Sequence, residues 1–211
     1  MADTILRTNA IPVYGFLSTI HAKRPPVKGQ PRAKVLDCGA GGPVPPLALF
    51  AQQGFEAWGI DISEAHLNEA RQFCKDNGVD IHLQPGDMRE IPFEDETFDY
   101  VYEHYAMCHL SKQDTARAID EMHRVLKKQG LCFLGVISMD TEPKTGFGEE
   151  KSPGEYWGQE GGGDTLHSLF TDAEIEELLS DWEVLSKEKR IQYHNGKDEM
   201  QYAHLYFILR K

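Results

Sequence analysis

Segments with strand and helix character alternate over the first two thirds of this 211-residue chain, and this alternation limits its possible folds more than any other feature. Short apolar segments typical of buried strands occupy residues 33–38, 55–61, 79–83, 98–103 and 131–137. Amphipathic patterns between them predict helices over residues 45–54, 63–78 and 111–128. Strands that are joined through helices lie parallel, with right-handed crossovers. The alternation therefore predicts an α/β fold built on a mostly parallel sheet.

The pattern changes after residue 137. Residues 138–168 are rich in glycine and show little periodicity, which predicts a lid loop with Tyr156 and Trp157 as its aromatic side chains. A capping box at Thr171-x-x-Glu174 then opens a helix. Two further strands are predicted, and the short N-G-K-D turn between them requires that they run antiparallel: residues 183–193 and 200–209.

A glycine-rich turn, V-L-D-C-G-A-G-G-P, follows the first predicted strand at residues 35–43. Glycines allow a ligand to approach the backbone closely, and the next helix would present unpaired N–H groups to it. A dinucleotide fingerprint that began at Gly39 would need a glycine where Val44 stands. The carboxylate of Asp37 would repel a pyrophosphate but suits a cationic sulfonium. The turn therefore favours S-adenosylmethionine over NAD.

The same turn resembles motif I of the class I S-adenosylmethionine-dependent methyltransferases, whose usual form is V/I/L-L-D-x-G-x-G-x-G. It matches at Leu36, Asp37, Gly39 and Gly41, and it departs at Pro43, where the family usually has glycine. Other stretches resemble the family in order and spacing: G-I-D-I-S at 59–63, G-D-M-R at 86–89, residues 98–110 and residues 167–179. The resemblance covers roughly residues 33–209.

This resemblance implies an α/β, Rossmann-like, doubly wound, seven-stranded and mostly parallel sheet with an antiparallel C-terminal edge strand. It implies a single methyltransferase domain over residues 1–211. Within it we expect four parts: an N-terminal helical cap and linker (1–30), a cofactor-binding half (31–137), the lid loop (138–168), and a C-terminal helix with antiparallel strands (169–211).

The resemblance also implies a role for each cofactor-binding residue. Asp61 would bind both ribose hydroxyls, and Ile62 would pack against adenine. Asp87 would accept from the exocyclic amine of adenine, with the main chain of Met88 beside it. The methionine part would be held by the glycine turn and by main-chain groups after the fourth strand: Asp37, Gly39, Ala40, Gly41, Glu103 and His104.

The implied reaction is direct displacement, in which a nucleophile attacks the methyl carbon and S-adenosylhomocysteine leaves. A base is needed only where the acceptor carries its proton at neutral pH. Candidate catalytic residues are His104, Tyr105, His109 and His167. We expect no metal, because the spacing of the Glu, His and Cys side chains in residues 103–109 is not a zinc signature. The predicted walls of the acceptor site include the N-terminal segment with its aromatic side chains Tyr14 and Phe16.

Charge and cysteine content limit the partners and the location. A formal net charge of −12 disfavours nucleic acid. We therefore expect a small-molecule acceptor, with a protein acceptor second, and no membrane partner. Four widely spaced cysteines and the absence of a signal-like start predict reduced thiols in the cytoplasm. Two alternatives stay open: a non-catalytic S-adenosylmethionine-binding protein and an NAD-dependent oxidoreductase.

Overall fold

The computed structural model describes residues 11–23, 31–160, 162–193 and 201–211. Five α-helices lie in this part of the chain: α1 (Ile11–Lys23), α2 (Leu47–Gln52), α3 (Glu64–Asn77), α4 (Lys112–Val125) and α5 (Asp172–Leu178). The same part contains ten strands: β1 (Lys34–Cys38), β2 (Glu56–Asp61), β3 (His82–Pro85), β4 (Phe98–Tyr102), β5 (Leu126–Ser138), β6 (Glu149–Ser152), β7 (Glu155–Glu160), β8 (Gly163–Phe170), β9 (Glu183–Tyr193) and β10 (Gln201–Arg210).

The predicted parallel sheet is confirmed. Its first five strands lie in the order β3-β2-β1-β4-β5, and each neighbouring pair is parallel. β10 runs antiparallel to β5, and β9 runs antiparallel to β10, so the predicted antiparallel strands close this side of the sheet. Three predicted segments lie outside the described residues: the N-G-K-D turn between β9 and β10, the first ten residues of the N-terminal cap, and the linker at 24–30.

The prediction of a lid loop over residues 138–168 is wrong in its secondary structure. β6, β7 and β8 form a three-stranded antiparallel meander, which adds three strands to the seven that were predicted. We call residues 149–170 the β-meander. Two of its glycines, Gly154 at φ 74° and Gly162 at φ 88°, occupy positive-φ positions in the turns between strands. The strands of the β-meander are short and largely polar, so their sequences lack the alternation of apolar and polar residues by which a strand is predicted.

The sheet is covered on both faces, because alternate side chains of each strand point to opposite sides. Leu36 and Val101 pack on one face with α4 and α5. Val35 and Tyr100 pack on the other face with α1 and α2. Phe16 of α1 is fully buried in this second cluster, so its predicted place in the acceptor wall is wrong.

Element ends differ from the predicted ones by a few residues. α4 ends at Val125 rather than at 128, because Leu126 already pairs with Phe98 of β4. β3 begins at His82 rather than at 79, because the N–H of Val79 still donates to the carbonyl oxygen of Cys74 in the last turn of α3. Among the described residues, no helix has the length and apolar character needed to cross a lipid bilayer.

Candidate functional site

A cavity of about 460 Å³ opens at the carboxyl ends of the parallel strands. Four loops line it, and each directly follows one of the strands β1, β2, β3 and β4. The strand order reverses between β1 and β4, because the chain runs from β1 through β2 to β3 on one side and then places β4 on the other side of β1. In open α/β sheets ligands bind at this kind of switch point.

Seven of the ten predicted cofactor-binding residues line this cavity: Gly39, Gly41, Asp61, Ile62, Asp87, Met88 and His104. The other three, Asp37, Ala40 and Glu103, are buried beneath its surface. Pro43, at the departure from the family motif, is exposed and lies outside the lining.

The N–H groups at the centre of the glycine turn are already bonded within the protein. The N–H groups of Gly39 and Ala40 both donate to the carbonyl oxygen of Ile60 at 2.9 Å. The N–H of Gly41 donates to Asp61 Oδ2 at 3.0 Å. The turn is therefore tied to β2, and its contribution is to keep space open beside the cavity.

Space explains why glycine is needed at two positions of the turn. A Cβ at Gly39 would lie 2.4 Å from the Cβ of Ala106, and its φ of 115° disfavours any side chain. A Cβ at Gly41 would lie 2.5 Å from Asp61 Oδ2. Ala40 faces inward instead and packs against Gly59 of β2. Both glycines thus permit contacts that hold the turn against its neighbours.

Asp61 stands at the end of β2 with its carboxylate fixed. Oδ1 accepts from the N–H of Ser63 at 2.8 Å, and Oδ2 accepts from the N–H of Gly41. A carboxylate oxygen has two lone pairs, so each oxygen keeps one for a further donor. Ile62 follows at the cavity rim with 78% of its surface exposed. The arrangement can accept two hydrogen bonds from a diol and can cover a flat apolar ring.

Asp87 is oriented by Arg89, a residue that the sequence reasoning missed. Arg89 Nη2 lies 2.6 Å from Asp87 Oδ2, and its Nη1 lies 3.0 Å from Asp114 Oδ2. These hydrogen bonds hold the pKa of Asp87 below its ordinary value. The spacing of two residues between Asp87 and Arg89 in G-D-M-R could have indicated this ion pair from the sequence.

Two buried carboxyl groups lie beneath the cavity. Tyr102 donates its hydroxyl proton to Asp37 Oδ2 at 2.6 Å. Burial raises the pKa of Asp37 to about 8, although this hydrogen bond opposes the shift. Burial likewise raises the pKa of Glu103 to about 7, against three backbone N–H donors. Asp37, whose carboxylate was predicted to suit a cation, is thus covered and tends to hold its proton.

These raised pKa values make the protein less stable as pH rises from 6.5 to 8.5. Folded Asp37 keeps its proton up to about pH 8, whereas the unfolded chain releases it near the ordinary value of 3.8. The folded state then binds more protons, so the free energy of unfolding falls with increasing pH. Glu103 acts in the same direction. Burial lowers the pKa of His204 from its ordinary value of 6.5 to about 4, so His204 changes the free energy of unfolding only below this window.

We expect Asp37→Asn to reduce this decline, because asparagine still accepts from Tyr102 but does not ionise. Melting temperatures measured across the window check the prediction. Asp76→Asn on the exposed surface of α3 is the matched control and should keep the wild-type slope. An Asp37→Asn slope equal to that of the wild type would contradict the assignment.

Three of the four predicted catalytic residues, His104, Tyr105 and His109, line the cavity from the loop after β4, which lies on the other side of β1 from β2. His167 lies outside the lining, with its ring centroid 4.9 Å from that of His109. Tyr105 has a φ of 64°, and its hydroxyl lies 3.0 Å from that of Tyr206. Left-handed backbone at a bulky residue is uncommon and often marks a functional site.

The predicted lid aromatics have different surroundings. Tyr156 is buried and packs with Phe147 below the β-meander. Trp157 is 40% exposed, with Lys151 Nζ 5.7 Å from its ring centroid. Neither of them lines the cavity.

Comparisons with known proteins agree with this geometry. Residues 35–130 match the family described as "Methyltransferase domain". The chain is 36% identical over 102 residues to the uncharacterized methyltransferase YcgJ of Bacillus subtilis, a match that covers 48% of this chain and 39% of the relative. It is 35% identical over 119 residues to the demethylmenaquinone methyltransferase of the same organism, which covers 55% of this chain and 48% of the relative. The chain thus spans less than half of these relatives.

Solved structures share the fold over a longer stretch. The 1,6-didemethyltoxoflavin-N1-methyltransferase of Burkholderia thailandensis, with bound 1,6-didemethyltoxoflavin and S-adenosylhomocysteine, superimposes with a TM-score of 0.66 and 20% identity. That alignment covers 97% of this chain and 80% of that one. The sheet order and the switch-point cavity thus agree with the match of residues 35–130 to the methyltransferase-domain family and with the fold of the solved methyltransferase structures.

Proposed function

We propose that this protein is an enzyme that transfers the methyl group of S-adenosylmethionine to a small-molecule acceptor by direct displacement. The observation that carries the proposal is the carboxylate of Asp61, which is fixed by two backbone N–H groups and keeps a lone pair on each oxygen at the cavity. A ribose diol matches this pair of acceptors.

The cavity suits a nucleoside of this kind. Its volume of about 460 Å³ falls in the range of about 300–1,000 Å³ that is usual for ligand pockets. Asp61 and Ile62 form the sugar and adenine end, with Asp87 and Met88 beside them. When bound, S-adenosylmethionine supplies an activated methyl group, and the chain's task is to hold the acceptor in line and exclude water.

Two relatives support a small-molecule acceptor. One is named for demethylmenaquinone, and one was solved with 1,6-didemethyltoxoflavin. A nucleic-acid acceptor is disfavoured by the net charge of −12, since cation–phosphate contacts dominate such binding. All four cysteines are free, which supports the proposed cytoplasmic location.

Calorimetry with S-adenosylhomocysteine tests the cofactor assignment. We expect binding of S-adenosylhomocysteine and no binding of NAD, because the N–H groups that could bind a pyrophosphate in the glycine turn already donate to Ile60 and Asp61. A metabolite extract added with S-adenosylmethionine should release S-adenosylhomocysteine. Binding without release from any extract would indicate a non-catalytic binding protein, and preferential binding of NAD would contradict the family chemistry.

A further inference from the structure

His109 lies at the junction of two parts of the molecule. It ends a short 3-10 turn, Met107–His109, that follows β4. Its exposed side chain lines the same cavity as Asp61, from the loop after β4, which lies on the other side of β1 from β2. On its other side the turn contacts β8 of the β-meander. The ring therefore stands where cofactor-binding loops meet the β-meander.

One hydrogen bond fixes the tautomer of this ring. His109 Nδ1 lies 3.1 Å from the carbonyl oxygen of Leu166 in β8. A carbonyl oxygen can only accept, so Nδ1 must carry the hydrogen. In the neutral ring Nε2 then holds a lone pair that projects away from Leu166. Among the described residues, Nε2 has no hydrogen-bond partner.

A second contact keeps the turn in place. Ser168 Oγ donates to the carbonyl oxygen of Leu110 at 2.6 Å. The turn is thus held by β8 at two points, the His109 ring itself and the carbonyl group of the residue that follows it. The ring of His167 packs against that of His109 at an interplanar angle of 67°, which further limits its rotation. A histidine that is held in this way is oriented before any ligand arrives.

Given the proposed function, on which this inference rests, we propose that His109 is the general base of the methyl transfer. Its acceptor presents an O–H or N–H group attached to an aromatic or heteroaromatic ring. Nε2 takes the proton of this group while its oxygen or nitrogen forms a bond to the methyl carbon. The methyl–sulfur bond breaks, its electron pair stays on the sulfur of S-adenosylhomocysteine, and the imidazolium later loses its proton to water.

The chemistry of the cavity end selects this class of acceptor. An imidazole removes protons more effectively from ring-bound O–H and N–H groups, which are stronger acids, than from aliphatic alcohols. The side chains of His104, Tyr105 and His109 offer flat surfaces for a ring.

The titratable groups around His109 are few and identifiable. His167 contacts it from β8, and His104 and Tyr105 share its loop. From α4, Lys112 is paired with Glu174. Across the cavity, the charges of Asp87 and Arg89 are paired with each other. Protonation of His109 itself would remove its lone pair, so the rate should fall at acidic pH.

The variant His109→Asn separates basicity from position. Its amide nitrogen can still donate to Leu166, but it has no basic lone pair. The test panel contains 7-hydroxycoumarin, 8-hydroxyquinoline and benzimidazole, and cyclohexanol and cyclohexylamine serve for comparison. We expect the wild type to methylate only the compounds whose O–H or N–H group is attached to an aromatic ring. The variant should lower kcat at least about 100-fold and lose the acidic limb of the pH profile. His82→Asn, on the exposed edge strand β3, is the matched control with wild-type rates.

Each other outcome has a defined meaning. Absence of S-adenosylhomocysteine binding by the wild type would defeat the proposed function itself. Binding by the wild type without methylation of any ring compound would overturn the acceptor class. A His109→Asn enzyme with the wild-type pH profile, or one that no longer binds S-adenosylhomocysteine, would overturn the base assignment. Nitrogen-15 NMR of the ring gives a readout independent of activity, and an Nε2–H tautomer at His109 would also overturn it.

Discussion

Replacing Asp61 with alanine is expected to weaken S-adenosylhomocysteine binding at least about 100-fold, because two hydrogen bonds to a charged acceptor, each worth about 1.5–3 kcal/mol, disappear together. The substitution also frees the N–H groups of Gly41 and Ser63, which Asp61 now holds. The glycine turn then loses one of its ties to β2. Both losses act on the ligand-binding end of the cavity, and calorimetry measures their sum.

Two further variants make this result interpretable. Asp61→Asn keeps the size and one acceptor oxygen but turns an amide N–H₂ toward a backbone N–H, so its affinity should lie between those of the wild type and the alanine variant. Asp76→Ala, on the exposed face of α3, should bind as the wild type does. Wild-type affinity in Asp61→Ala would remove the proposed ribose contact.

Glu103→Ala is expected to lower the free energy of unfolding by about 3–5 kcal/mol, since each buried N–H left without an acceptor costs about 1–3 kcal/mol. The carboxylate accepts from the N–H of Gly135 at 2.7 Å, of Met107 at 3.1 Å and of Ala106 at 3.3 Å. The Glu103 side chain and the N–H group of Met107 are buried, and the N–H groups of Gly135 and Ala106 are part-buried. A loss of this size is a large part of the total stability of an ordinary domain, about 5–15 kcal/mol.

Urea unfolding measures this loss, with two comparisons. Glu103→Gln retains one acceptor oxygen and most of the volume, so it should cost clearly less than the alanine variant. Glu69→Ala, on the exposed surface of α3, should leave stability near that of the wild type. Equal losses in Glu103→Gln and Glu103→Ala would show that the hydrogen bonds are not the cause.

The parallel half of the fold was predictable because its strands are short continuous apolar segments with clear helix signals between them. Ser63 illustrates this, since its hydroxyl caps α3 by accepting from the N–H of His66 as an N-cap serine should. The order of loops along the chain also placed Asp61 and Asp87 at one edge, and the cavity brings both together.

The remainder depended on contacts between distant residues. The N–H groups of Gly39 and Ala40 donate to the carbonyl oxygen of Ile60. The sequence of residues 39–41 does not indicate this partner. The sequence likewise marks Glu103 only as a polar residue at a strand end, although its carboxylate joins the loop after β4 to β5. The β-meander was missed because its polar strands lack an alternating pattern.

The pairing of the β-meander has a consequence for the rest of the sheet. β8 joins β5 through two residue pairs, Ile137 with Leu169 and Ser138 with Phe170, whereas β7 and β8 pair with each other over six. Most hydrogen-bonded pairs of the β-meander are therefore made within it, and it is attached to the end of β5. The match to the methyltransferase family stops at residue 130, before the β-meander begins. We therefore expect sequence changes in β6 and β7 to leave the pairing of the parallel strands intact.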